Sequence, residues 1–160
     1  MQHERDIGLM EPCTTDKEGL LRIEDQLCFA LYSVSRAITK QYAVILDKMG
    51  ITYPQYLALM VLWRRDGLLV QEIAANLEVD QATATPLIQR LEKLGLVARR
   101  RSTEDERKVQ VFLTKKGKDL YDDALSVPHA LGCAIGVDDE KARELIADVD
   151  AIKNFIGRQG

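Results

Sequence analysis

Three cysteines, Cys13, Cys28 and Cys133, are the residues of this chain with the widest chemical reach. Cys28 stands in the run Gln26-Leu27-Cys28-Phe29-Ala30-Leu31-Tyr32, early in an apolar-periodic segment. The nucleophilic and oxidisable form of a thiol is the thiolate. No cation stands beside Cys28, and Glu24 and Asp25 oppose ionisation, so hydrogen-bond donors are the remaining means of holding the anion. On the residues alone, the apolar setting favours the opposite reading, a packed and inert core thiol. Cys133 lies between glycines at 132 and 136, which predict a loose segment, and His129 nearby carries no assigned role. Cys13 reads as an incidental surface thiol. The number and scatter of the thiols fit neither a disulfide framework nor zinc-ligand spacing. No metal or cofactor is expected, and the setting expected is reducing and cytoplasmic.

A second chemistry is carried by charge. The formal net charge is −3, yet from Arg90 to Lys118 ten Lys or Arg stand against four Asp or Glu. A basic segment on an acidic body is the footprint of a surface that meets phosphate with one face. A solvated charged face fits the composition equally well, so the order of elements has to decide.

Those elements follow from periodicity. Ile23, Leu27, Leu31, Val34, Ile38, Tyr42, Ile45 and Met49 recur at three- and four-residue steps and predict a helix over about 20–48, ended by Gly50. A seam of that length suits dimerisation. Residues 1–19 show no period and are expected to form a tail, with no secretory signal. Thr52-Tyr53-Pro54-Gln55 opens a second helix as a capping box with proline in its first turn. Its crowding with apolar residues predicts burial, Trp63 included.

Val70–Leu77, a turn at Glu78-Val79-Asp80, and a helix capped by Asp80 and closed by Gly95 spell a helix-turn-helix. Pro86 inside that second helix removes a donor and invites a bend. Leu96–Arg101 and Val109–Leu113 alternate around a polar turn and predict a β-hairpin, with Arg107 and Lys108 near its tip. Thr114 caps a helix to about Val127, which Pro128 breaks or redirects. Asp138-Asp139-Glu140 opens a last helix with Leu145, Ile146, Val149, Ile152 and Phe155 inward. The fold class expected is mainly α with a small β-hairpin wing. It is a winged helix-turn-helix over 54–113, with dimerisation helices at 20–49 and 114–160. No apolar run is long enough to span a bilayer, so no membrane partner is expected.

Such a fold presents Gln81, Thr83, Thr85 and Gln89 from the helix behind Asp80. Glutamine pairs bidentately with adenine, and threonine serves bases or phosphate. Arg90 and Lys93 suit phosphate contacts. The partner implied is double-stranded DNA, and a two-fold dimer prefers a pseudo-palindromic operator.

Gly95-Leu96-Val97-Ala98-Arg99-Arg100, Glu104-Asp105-Glu106-Arg107 and Leu113-Thr114-Lys115-Lys116-Gly117 resemble the winged helix of MarR-type repressors. Within that family the chain resembles the organic hydroperoxide-sensing OhrR branch, two-cysteine type. The residues that carry this are Gln26–Phe29 with Leu31-Tyr32, Thr39-Lys40 with Tyr42, Thr52–Leu57, and Thr83 with Thr85-Pro86. The resemblance is nearly continuous from Leu27 to Gly117. It departs from the family at Gln81, Ala82, Ala84 and Lys108, so it implies no particular operator.

In such repressors the cysteine matching Cys28 is the peroxide-reactive one, and the tyrosines matching Tyr42 and Tyr53 donate to its thiolate. Tyr42 lies 14 residues beyond Cys28, about 21 Å along a straight helix, so that contact is expected across a dimer interface. Tyr32, one turn beyond Cys28, is a further wall of the pocket; ordinary half-buried packing is the other reading of all three tyrosines. Cys133 stands where two-cysteine members carry a resolving thiol, so the resemblance implies an intersubunit disulfide that releases DNA. If the reduced thiols are held more than about 7 Å apart at Cα, closing that bond moves backbone. Arg107 resembles the wing arginine that enters the minor groove, with Asp105 holding it. The whole implies a homodimeric repressor, not an enzyme, whose signal is an organic hydroperoxide.

Two rival readings stand beside it. One is a MarR-type regulator that answers a non-covalent small molecule, such as a phenol, with the thiols incidental. The other is a thiol peroxidase using Cys28 and Cys133; it lacks a Thr-x-x-Cys motif and leaves the wing unexplained.

Overall fold

The computed structural model describes residues 21–101 and 108–158 of the 160. The chain divides into two compact units, residues 1–37 and 38–160. In the first, a 3-10 turn at Ile23–Asp25 precedes helix α1 (Leu27–Leu46), which continues beyond the unit's end. The helix therefore begins later than the seam predicts. Asp25 N–H donates to the Arg22 carbonyl and Gln26 N–H to the Ile23 carbonyl, both at 3.2 Å. These bonds close a tight turn, after which Gln26 is extended (φ −90°, ψ 116°) and interrupts any helix from upstream. The tail expected at 1–19, Cys13 with it, lies outside the described residues.

The second unit holds the core. A 3-10 turn at Asp47–Met49 follows α1, and Gly50 closes it at φ 66°. Helix α2 (Tyr53–Arg64) starts where the capping box predicts, with the Thr52 N–H donating to Gln55 Oε1 at 2.8 Å. Strand β1 (Leu68–Leu69), helix α3 (Val70–Asn76) and helix α4 (Gln81–Lys93) follow. Pro86 does not break α4. The helix runs on through it, since a proline costs one backbone bond and Ile88 and Leu91 beyond it are fully buried. Strands β2 (Val97–Arg101) and β3 (Val109–Leu113) form the hairpin, and β1 adds to it antiparallel in the order β1-β3-β2. Register pairs Leu68 with Val111 and Val97 with Leu113. The third strand has no counterpart in the sequence reading, because two residues show no period.

Leu46, Leu59, Leu62, Ile73, Ile88, Leu91, Val97 and Val111 are fully buried and anchor α1, α2, α3, α4, β2 and β3. Each such side chain contributes about 1.5–3 kcal/mol on burial. Trp63, expected in the core, is only half-buried. Its Nε1 donates to the Gly117 carbonyl at 2.9 Å, and its ring meets Tyr56 and Tyr121 edge-on.

Helix α5 (Lys115–Ala124) is capped by Thr114 as expected. The segment around Cys133 is not loose: it is helix α6 (Val127–Ile135). Pro128 sits in its first turn, where a missing N–H costs nothing, and Gly136 ends it at φ 68°. Helix α7 (Asp139–Gly157) is capped by Asp138, whose Oδ1 accepts from Lys141 N–H at 2.8 Å. No residue of α7 is buried in the single chain, and Leu145, Ile146, Val149, Ile152 and Phe155 are 39–65% exposed. Among the described residues, no helix is long and apolar enough to cross a membrane.

Candidate functional site

Cys28 is the second residue of α1 and is exposed, with no disulfide partner. Its neighbours Leu27, Phe29 and Leu31 are 39–59% exposed, so an inert core thiol is not what the chain builds there. The late start of α1 matters here. The first turn of a helix carries backbone N–H groups without helical partners. Sequence periodicity hid this by starting the helix upstream. In the same unit, the Arg36 guanidinium donates to the Tyr32 hydroxyl at 3.2 Å and lies over its ring, so Tyr32 is held rather than free.

Within the second unit, Tyr42 and Tyr53 come together as a stacked pair with ring centroids 4.2 Å apart. Tyr56, which the sequence reading left out, joins them at 6.0 Å from Tyr42. Burial, with Tyr53 and Tyr56 adding, pushes the Tyr42 phenol up to about 12. Burial raises Tyr53 and Tyr56 as well. All three therefore stay neutral at ordinary pH, and a neutral phenol is a hydrogen-bond donor where a phenolate is not.

Cys133 is exposed on α6 and has a neighbour that sequence reasoning passed over. His129, one turn earlier, places Nδ1 3.9 Å and Nε2 4.0 Å from Cys133 Sγ. The i, i+4 spacing was visible in the sequence, but a lone histidine near a cysteine carries little meaning until the segment is known to be helical.

The helix-turn-helix is built as its caps predict. Asp80 Oδ1 accepts from Thr83 N–H, and those bonds hold its carboxyl below the usual range. Gln81, Thr83, Gln89, Arg90 and Lys93 are exposed on α4. Thr85 is half-buried, and its hydroxyl donates to the Gln81 carbonyl at 2.8 Å, leaving an acceptor lone pair outward. Glu92 ties α4 to the wing, accepting from the Arg99 N–H at 2.9 Å and the Arg99 guanidinium at 2.7 Å. Where α4 meets the wing, a cleft of about 190 Å³ is lined by Gln81, Thr85, Arg99 and Lys108. Arg107 and Asp105, expected at the wing tip, lie outside the described residues.

Gly117 fixes the wing's root. A Cβ there would stand 2.0 Å from the Leu96 carbonyl oxygen, so the close approach of α5 to β2 requires glycine. Thr114 Oγ1 donates to the Gly95 carbonyl at 2.7 Å, and Lys116 Nζ to the Leu94 carbonyl at 2.9 Å.

A helix-turn-helix followed by a basic three-stranded wing defines a winged-helix protein. Known proteins agree. The family described as "Transcriptional regulator SarA/Rot" matches residues 40–124. Over 125 residues the chain is 44% identical to the "Organic hydroperoxide resistance transcriptional regulator" of Bacillus subtilis (strain 168), covering 78% of this chain and 83% of that protein. Reduced AbfR bound to DNA superposes with a TM-score of 0.72 at 28% identity, over 88% of this chain and 97% of that one. Disulfide-formed AbfR superposes with a TM-score of 0.59 at 30% identity, over 89% and 95%. The chain belongs to the MarR family of winged-helix transcriptional regulators.

Proposed function

We propose that the protein is a homodimeric DNA-binding repressor that senses organic hydroperoxides through Cys28. The observation that carries this reading is an exposed thiol in the first turn of α1, on an apolar surface, in a chain so similar to a hydroperoxide-resistance regulator. The Cys28 thiolate attacks the outer peroxide oxygen. The O–O bond breaks, the alcohol leaves with a proton, and sulfur is oxidised to sulfenic acid. The Cys133 thiol of the partner subunit then attacks that sulfur and expels water, forming a disulfide. Tyr42 and Tyr53, as neutral donors reaching across the dimer interface, hold the thiolate before the attack, with Tyr32 beside it.

DNA is read by α4, with Gln81, Thr83, Thr85 and Gln89 toward base edges, Arg90 on phosphate, and Arg107, steadied by Asp105, in the minor groove. The exposed apolar stripe of α7 and the exposed seam residues of α1 supply the dimer contact. Support for a coupled rearrangement comes from AbfR, whose disulfide-formed structure fits this chain less well than its reduced, DNA-bound one.

The test is a non-reducing gel with mass spectrometry on reduced protein given one equivalent of cumene hydroperoxide. The expected product is a dimer joined through Cys28 and Cys133, with loss of operator binding. A Cys133→Ser protein that gave the same covalent dimer would sink the disulfide. A second reading rests on a cleft of about 300 Å³ lined by Tyr56, Met60, Trp63, Arg64 and Tyr121. Its aromatic walls and single guanidinium suit a small aromatic acid or phenol. If Cys28→Ser still released DNA with such a compound, the thiol would be incidental.

A further inference from the structure

We infer that His129 is the proton acceptor for Cys133, a role that rests on Cys133 being the resolving thiol of the proposed switch. A resolving thiol needs its S–H bond broken as its sulfur attacks, and a base in contact with the sulfur accelerates that step. His129 and Cys133 sit one turn apart on the same side of α6, and both are exposed. Among the described residues, no other titratable group makes a recorded contact with that sulfur.

The two ring nitrogens are nearly equidistant from Sγ, at 3.9 and 4.0 Å. Rotation about the Cβ–Cγ bond of His129 brings one nitrogen into line without moving backbone. A cleft of about 420 Å³ opens beside the pair. Asp138 and Asp139 line that cleft from the start of α7, so the groups facing the imidazole from the neighbouring element are carboxylates.

The step balances without a further reagent. His129 takes the proton of the Cys133 thiol, the thiolate attacks the Cys28 sulfenic sulfur, and an S–S bond forms as the S–O bond breaks. The departing hydroxide takes the proton back from the imidazolium and leaves as water. The oxidant is the hydroperoxide already spent on Cys28.

Two measurements test this independently of the sensing reading. In a Cys13→Ser/Cys28→Ser chain, iodoacetamide alkylation of Cys133 is followed against pH, with and without His129→Gln. The expected outcome is alkylation about tenfold slower in the variant, with a changed pH profile. In the Cys13→Ser chain given cumene hydroperoxide, His129→Gln is expected to accumulate dimedone-trappable sulfenic acid at Cys28. Equal alkylation rates and equal pH profiles overturn the role of His129, whatever Cys28 does. Slowed alkylation with neither sulfenic acid nor a disulfide at Cys28 in the parent chain upholds the base and overturns the sensor instead. His129→Asn, which keeps a polar side chain, separates loss of the base from loss of a contact. If it restores the wild-type profile, the proposal fails.

Discussion

The Tyr42 phenol stays protonated far above neutral pH because burial and two neighbouring phenols push it up to about 12. An acid raised in this way stabilises the fold below its ordinary value of about 10 and loses that contribution as pH climbs through the folded value. Urea unfolding is expected to show falling stability between about pH 10 and about pH 12, and Tyr42→Phe is expected to blunt the fall. On the proposed role of Tyr42 as a donor to the Cys28 thiolate, the same substitution removes a bond worth about 1.5–3 kcal/mol and is expected to slow Cys28 oxidation by about tenfold or more. Stopped-flow detection of sulfenic acid checks the rate. Cys28 and Tyr53 were legible from sequence as types in a motif. Tyr56 and His129 were not, because their meaning depends on which rings stack and which segment is helical.

At the level of elements, the caps read true and the punctuation misled. Thr52, Asp80, Thr114 and Asp138 all start helices where their side chains or flanking residues predict, since capping is local chemistry within one turn. Pro128 and Gly136 are ambiguous in sequence: proline opens helices as well as breaking them, and glycine closes them as well as loosening loops. The packing of Val127 into the core selects the helix. Gly117 makes a sharper case. Gly117→Ala drives a methyl against the Leu96 carbonyl and is expected to cost about 1–3 kcal/mol in thermal unfolding, by parting α5 from β2. A substitution with no loss would mean that the wing's root relaxes freely.

At the scale of the whole molecule, two exposed surfaces of the described residues, besides the α1 seam, suit partners from outside the chain. One is the apolar stripe of α7, and Val149→Asp on it is expected to yield monomers in sedimentation while the winged helix stays folded. The other is the basic surface of α4 and the wing, where Arg90, Lys93, Arg100 and Arg101 are exposed. Each phosphate contact it makes should steepen the dependence of operator affinity on salt by about 0.9 in log–log slope. Arg90→Ala is expected to lower that slope without changing which operator is preferred, as fluorescence anisotropy across salt concentrations would report. A changed preference would make Arg90 a base contact.

Sequence by itself determined the helix-turn-helix, the hairpin and the caps, because periodicity, turn chemistry and local hydrogen bonds act over a few residues. It also supplied the thiols and tyrosines as types. Tertiary structure decided where α1 begins, which puts Cys28 in a first turn, and decided that α6 is a helix, which puts His129 against Cys133. It decided too that Tyr42 stacks on Tyr53 and that Leu68–Leu69 joins the wing. The ring stacking and the third strand depend on contacts between residues distant in sequence, and α6 on which of two local conformations the packing favours; the start of α1 is a short hydrogen-bonded turn that leaves no mark on the apolar period.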